Sequence, residues 1–320
     1  MNKLLGIIVL GLLWANTSFA NDHKPNNFDA FVWSDGKKLK IQKGRDIENP
    51  ENKIIIIFNH GGWGWDKSWG PGWASSLAKL MAPNLSGKNI KGKETVLWMN
   101  GSLIDKKNDP FKGKEIGYAC GWKLRGGYHP PWYDCVINNF PTYLREKRTK
   151  EAIDYFASKG TPRNQIFLSG HSCGAWNAIR YAAFKKELFG GTIAFNPNCW
   201  PKEENNPVRQ YLVGELKTAK YANSLVFASP DDLTHDWKAT STDLAWIADI
   251  PGVKWFEYEK GVKVNGKKCK QSWDNKTLKN GHLIVFSKCS WPHQKLVLEF
   301  IRESLVNDKI ITIDSKISRK

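Results

Sequence analysis

An α/β fold, with a mostly parallel central sheet covered by helices on both faces, is what this 320-residue sequence predicts. Three observations carry that expectation. Ile54-Ile55-Ile56-Ile57-Phe58 is an unbroken apolar run, such as a central strand buried on both faces requires. Short apolar runs alternate along the chain with stretches of helical period. In one place the order strand, sharp turn, helix can be read residue by residue. Ile166-Phe167-Leu168 leads into Gly170-His171-Ser172-Cys173-Gly174, and Ala175, Ala178, Ile179, Ala182 and Ala183 follow at helical spacing.

Residues 1–20 stand apart from that fold. Lys3 is a short positive n-region, Leu4 to Trp14 an apolar core, and Ser18-Phe19-Ala20 a small-residue cleavage site. This is the pattern of a secretory signal cut after Ala20, and its apolar run is short for a membrane span. The mature chain is expected to be secreted or periplasmic. Residues 21–320 carry no Pro/Ser/Gly-rich linker and no repeat, and are expected to form a single domain with long insertions.

The elements follow in order. Asp29 to Trp33 and Leu39 to Gln42 read as a hairpin turning at Ser34-Asp35-Gly36. The isoleucine strand runs directly into His60-Gly61-Gly62. Val96 to Met99 is the next strand. Residues 101–140 have no period and hold Gly, Pro, Trp and Tyr between Cys120 and Cys135; so long an irregular segment reads as a flap over a site. A helix opens at Pro141, buries Leu144, Ala152, Ile153 and Phe156, and ends at Gly160. After the Ser172 turn come a strand at Thr192–Phe195, a helix at 206–219, a strand at Leu225–Ala228, a helix near Ser241–Ile247, a strand at Val253–Tyr258 and a last helix from Pro292 to about Leu305.

The turn at Ser172 is the candidate site. A GxSxG pentapeptide between strand and helix is a nucleophile elbow. Gly170 and Gly174 leave room for the sharp bend, which lifts the serine hydroxyl above the sheet edge. Glycines at 61 and 62 would let backbone N–H groups approach a ligand. Trp63, Trp65, Trp69 and Trp73, among sixteen tryptophans in all, are candidates for a pocket wall. Six cysteines in an exported chain point to disulfides. Cys120–Cys135 and Cys269–Cys289 would close local loops; Cys173–Cys199 would join the ends of neighbouring strands, with a buried free Cys173 the alternative. No cysteine pair has zinc-site spacing.

The formal net charge is +17, spread through nearly every loop. It reads first as a solvated basic surface, and second as one attracting anionic envelope polymers or acidic substrates. No nucleic-acid motif is present, and no cofactor is called for.

Four features together resemble the α/β-hydrolases, closest to dienelactone-hydrolase-like serine esterases: His60-Gly61-Gly62, Gly170-His171-Ser172-Cys173-Gly174, an acidic residue after the strand at 225–228, and Gly281-His282 before the final helix. The resemblance spans roughly residues 28–306. It implies an α/β-hydrolase fold, a covalent acyl-enzyme mechanism, and the order nucleophile, acid, histidine. The aromatic loops at 63–73 and 101–140 are not family hallmarks, so the resemblance implies no particular substrate.

The resemblance assigns roles. Ser172 is the nucleophile, and a histidine must take its proton. Of seven histidines, His282 follows a glycine in the loop where the family places its base, with His293 the alternative. Asp231, three residues past the strand, is the expected acid, and the adjacent Asp232 the alternative. The oxyanion hole would be the N–H of Cys173 plus that of Gly62 or Trp63. The expected activity is carboxylic-ester hydrolysis on a small-molecule or polymer-linked substrate. Alternatives on the same residues are a peptidase, an acyltransferase, or a non-catalytic glycan- or polymer-binding protein.

Overall fold

The computed structural model describes residues 29–34, 39–59, 61, 81–100, 141–185, 189–199, 207–232, 242–270 and 275–306. Residues 1–20, read above as a signal, the tryptophan-rich stretch 63–73, and the segment 101–140 with Cys120 and Cys135 lie outside the described residues.

The main sheet is built from β1 (Ala30–Ser34), β2 (Leu39–Lys43), β3 (Lys53–Asn59), β4 (Asn89–Ile90), β5 (Lys93–Asn100), β6 (Ile166–His171), β7 (Gly191–Phe195), β8 (Ser224–Ala228) and β9 (Val253–Glu257). Its order is β2-β1-β5-β3-β6-β7-β8-β9, with the short β4 on β5. From β5 to β9 every neighbour is parallel, and the β1–β2 hairpin joins antiparallel through β1. The central strands are apolar because helices cover both their faces. Ile54, Ile56 and Phe58 point to one core, shared with Leu97, Phe167, Phe195 and Phe227. Ile55 and Ile57 point to the other, shared with Trp98, Ile166 and Leu168.

The α-helices on these faces include α1 (Pro141–Ser158), α2 (Cys173–Phe184), α3 (Pro207–Lys217) and α4 (Trp291–Ser304). Ala152, Ile153 and Phe156 of α1 and Ala178 and Tyr181 of α2 close one core. Residues 81–85, also helical, and α4 close the other, with Met81, Leu85, Val297, Phe300 and Ile301. Arg180 of α2 is buried between carboxylates, donating from Nε to Glu146 on α1 at 3.0 Å and pairing with Glu215 on α3. Burial pushes the Glu146 carboxyl above its ordinary range, with Arg180 the main opposing pull.

Three features depart from the sequence reading. The helix expected near Ser241–Ile247 is a 3-10 helix at Thr242–Asp249. The loop carrying His282 is itself a 3-10 helix, Gly281–Phe286. After β9 the chain forms a small hairpin, β10 (Lys263–Val264) and β11 (Lys267–Lys268), which no apolar run announced.

Candidate active site

Parallel register sets the site. Asn59 at the end of β3 is level with Gly170 of β6, His171 with Phe195 of β7, and Phe195 with Phe227 of β8. The loops leaving these strands therefore gather at one carboxyl edge, where an open α/β sheet collects ligands.

Ser172 turns the chain from β6 into α2 with φ 55° and ψ −123°, a region L-residues rarely occupy. Such a conformation costs about 1–3 kcal/mol and persists only where its surroundings over-determine it. Here they do. Ser172 N–H donates to Phe195 O at 3.0 Å, and Ser172 O accepts from Trp176 N at 3.0 Å and Asn198 N at 3.3 Å. A Cβ on Gly170 would stand 2.4 Å from the Gly174 carbonyl carbon, so glycine is obligatory there. A Cβ on Gly61 would reach 2.9 Å from the Ser172 Cβ, which puts the start of the glycine loop after β3 against the serine. Gly62 and Trp63, the expected second oxyanion donors, lie outside the described residues.

Cys173 begins α2, so its N–H is one of the amides that a helix start leaves without an intrahelical acceptor. Its side chain forms a disulfide with Cys199, which decides between the two readings of Cys173. The second described disulfide, Cys269–Cys289, is the expected one. Ser172 Oγ donates to the carbonyl oxygen of Asn198 at 3.3 Å. The β7 turn thus holds the serine through both a covalent tie and a hydrogen bond.

His282 is 8% exposed, and its Nδ1 lies 2.7 Å from Oδ2 of Asp232, which is 1% exposed. The expected partner, Asp231, is elsewhere. Its Oδ2 accepts from the backbone N–H of Gly261 at 2.6 Å and of Val262 at 2.9 Å. The reason is the tight turn after β8, closed by Asp232 N–H donating to Ser229 O at 3.1 Å. That turn sends the two consecutive carboxylates in different directions, Asp232 inward and Asp231 toward the β10–β11 hairpin. The alternative base, His293, packs on Phe256 and Tyr258 at ring separations of 4.5 and 5.4 Å.

Sequence reasoning missed two supporting residues. His171 donates from Nε2 to the carbonyl oxygen of His282 at 2.7 Å, and its ring lies 4.4 Å from the His282 ring. Asn196, in the left-handed region at φ 47°, donates from Nδ2 to Asp232 Oδ2 at 3.4 Å. The Asn-Pro-Asn after β7 was its only signal, since Asn tolerates that conformation better than most residues. Among the described residues no group of three or more His, Cys, Asp or Glu could hold a metal ion. No helix among them is long and apolar enough to cross a membrane.

No protein-family profile and no curated protein matches the sequence. Solved structures similar to it include a phospholipase/carboxylesterase from Dyadobacter fermentans, at 16% identity over 65% of this chain and 80% of that one, with a TM-score of 0.36. Esterase 2 of Thermogutta terrifontis, phosphorylated by paraoxon, is 12% identical over 81% and 85%, with a TM-score of 0.42. MGS-M1, an α/β hydrolase from a Medee basin deep-sea metagenome, is 14% identical over 88% and 100%, with a TM-score of 0.43. These likenesses do not reach the narrower dienelactone-hydrolase-like group. The parallel sheet, its antiparallel outer hairpin and the left-handed serine turn between β6 and α2 make this an α/β-hydrolase fold.

Proposed function

We propose that the protein is a serine hydrolase that cleaves carboxylic esters, with Ser172 as nucleophile, His282 as base and Asp232 as the carboxylate that orients it. The observation that carries this reading is the buried His282–Asp232 pair, whose backbone is tied through His282 O to His171, the residue before the strained turn of Ser172. In the neutral ring, Nδ1–H donates to the carboxylate and Nε2 keeps its lone pair. Asp232 fixes that tautomer and stabilises the cation formed when Nε2 takes a proton.

The reaction then runs in two halves. The Ser172 hydroxyl leaves Asn198 O, gives its proton to His282 Nε2, and Oγ bonds to the ester carbon while the carbonyl π pair moves onto oxygen. The Cys173 N–H, with an N–H from Gly62 or Trp63, stabilises that oxyanion; one such donor contributes about 3 kcal/mol in other enzymes. The intermediate collapses, the alcohol leaves with the His282 proton, and Ser172 stays acylated. Water, giving its proton to His282, then attacks the acyl carbon and releases the acid, and His282 returns the proton to Ser172. The expectation of export and of a single domain belongs to the same proposal.

A fluorophosphonate probe tests it. The folded protein should be labelled at Ser172 and should turn over short p-nitrophenyl esters faster than peptide amides, and the Ser172→Ala protein should do neither. A folded parent that takes no label would favour a binding protein on this scaffold. Amide turnover exceeding ester turnover would make it a peptidase.

A further inference from the structure

The hairpin after β9 stands at the same edge as the serine. β9 runs parallel to β8, with Glu257 level with Ala228, so the chain leaves both strands on the site side. Asp231, next to Asp232, accepts the N–H groups of Gly261 and Val262 at the hairpin's base. Val262, Val264, Cys269 and Leu278 are buried with Ile284 and Phe286 of the His282 segment, and Cys269–Cys289 ties the two covalently. Asn265 at φ 50° and Gly266 at φ 71° make the tight turn between the strands. The hairpin is therefore a fixed part of the site's rim.

Its outer surface is cationic. Lys260, Lys263, Lys267, Lys268 and Lys270 fall within eleven residues that contain no carboxylate. All but the half-buried Lys263 are exposed, and none of the five forms an ion pair with another described residue. Lys263 and Lys268 are direct cross-strand partners. Like charges placed opposite each other in a hairpin are destabilising, so this arrangement costs stability that an anionic ligand would return. The neighbouring Glu259 is engaged through Oε2 with Gly266 N–H at 2.9 Å. No large apolar side chain is exposed among the described hairpin residues, as insertion into a lipid surface would need, and Tyr258 is buried rather than available for base stacking.

We propose that the Lys260–Lys270 hairpin is a docking surface for an acidic polysaccharide that carries the ester cleaved at Ser172. The identity of the reaction rests on the ester-hydrolase reading above; the docking does not. The hairpin gathers carboxylate-bearing chain by charge, and its rigid link to Asp231 and the His282 segment places the bound polymer at the mouth of the site.

Binding of polygalacturonate at low salt tests this, measured calorimetrically in the Ser172→Ala protein so that no turnover enters. Lys267→Glu/Lys268→Glu should weaken binding roughly tenfold or more, and Lys267→Gln/Lys268→Gln by a smaller factor. The comparison pair is Lys159→Glu/Lys220→Glu. These exposed lysines precede β6 and β8 at the opposite edge and should change affinity less than about twofold. Thermal unfolding checks that each variant is folded, and the glutamine pair serves if the glutamate pair is not. Equal losses for the hairpin and comparison pairs would overturn the proposal, since net charge alone would then suffice. So would absence of polygalacturonate binding, or tighter binding to phosphatidylcholine vesicles containing phosphatidylglycerol. Loss of fluorophosphonate labelling in the parent would refute the serine reading and leave the docking result standing.

Discussion

His171 Nε2 donates to the carbonyl oxygen of His282 across 2.7 Å, and the two rings lie 4.4 Å apart. A carbonyl only accepts, so Nε2 carries the proton. Nδ1 is buried, has no hydrogen-bond partner among the described residues, and in the neutral ring carries no proton. The residue before Ser172 therefore fixes the segment of His282 while staying neutral itself.

That neutrality has a pH signature. Burial first, and then the His282 ring, hold the His171 imidazole well below its ordinary 6.5, against weaker opposite pulls from the His282 carbonyl and Asp232. As pH falls through 6.5 the unfolded chain takes up a proton that the folded chain refuses. Stability must then fall with pH, by up to about 1.4 kcal/mol per unit, until the folded imidazole also titrates. His171→Gln keeps a donor for His282 O and removes the titration. Urea unfolding at intervals from pH 7 to 5 should show the parent losing stability faster than this variant by about that slope. His171→Gln should hold kcat within a few-fold, whereas His171→Ala should lose roughly tenfold. A parent-minus-variant difference that stays flat with pH would mean that folded His171 is not held neutral.

The two adjacent aspartates should separate function from stability. Asp232→Asn leaves the shape and reverses the tautomer preference of His282, so kcat on a p-nitrophenyl ester should fall on the order of 10³–10⁴-fold with little change in melting temperature. Asp231→Asn weakens an acceptor of two backbone N–H groups and should cost about 1–3 kcal/mol of stability. Its kcat on the same ester should stay within a few-fold. The reverse pattern would return the acid's role to Asp231.

Reducing Cys173–Cys199 should affect both stability and rate. The bond spans 26 residues and ties the first amide of α2 to the turn whose Asn198 O accepts the serine hydroxyl and whose Asn196 reaches Asp232. Closing a loop of that length stabilises by about 3 kcal/mol in the chain-entropy account. Cys199→Ala should therefore unfold at lower urea concentration and turn over at least several-fold more slowly, because the proposed oxyanion donor and the hydroxyl acceptor both lose their anchor. Unchanged kcat in a destabilised variant would make the disulfide purely structural.

How much of this was legible in the sequence differs by element. The isoleucine strand, the elbow and the small-residue helix could be read because burial on both faces and a sharp turn each restrict residue type strongly. His282 could be singled out over His293 because it follows a glycine where the resemblance puts a base, and the structure sets it beside a buried carboxylate. Asp231 and Asp232 could not be separated: direction within a four-residue turn depends on the Asp232 N–H to Ser229 O bond, which leaves no mark on composition. The β10–β11 hairpin was invisible because its strands are two residues each, lysine-rich, and held by Cys269 and Asp231 rather than by an apolar period. His171 looked like filler inside GxSxG because its partner is a backbone carbonyl 111 residues away.

The strain at Ser172 can be measured directly. At φ 55° and ψ −123° a side chain is a liability, and only glycine enters that region freely. Ser172→Ala removes the hydroxyl but keeps the Cβ and its backbone cost. Ser172→Gly removes both. At an ordinary position glycine would be less stable than alanine by about 0.5–1 kcal/mol, because it loses more conformational freedom on folding. Here relief of about 1–3 kcal/mol should outweigh that loss, so the glycine variant should exceed the alanine variant in unfolding free energy by about 1 kcal/mol. Both should be inactive on esters. Urea titrations of the two side by side decide it. If alanine is the more stable, the turn is relaxed, and the backbone geometry of Ser172 comes from the hydrogen bonds of Phe195, Trp176 and Asn198 without stored strain.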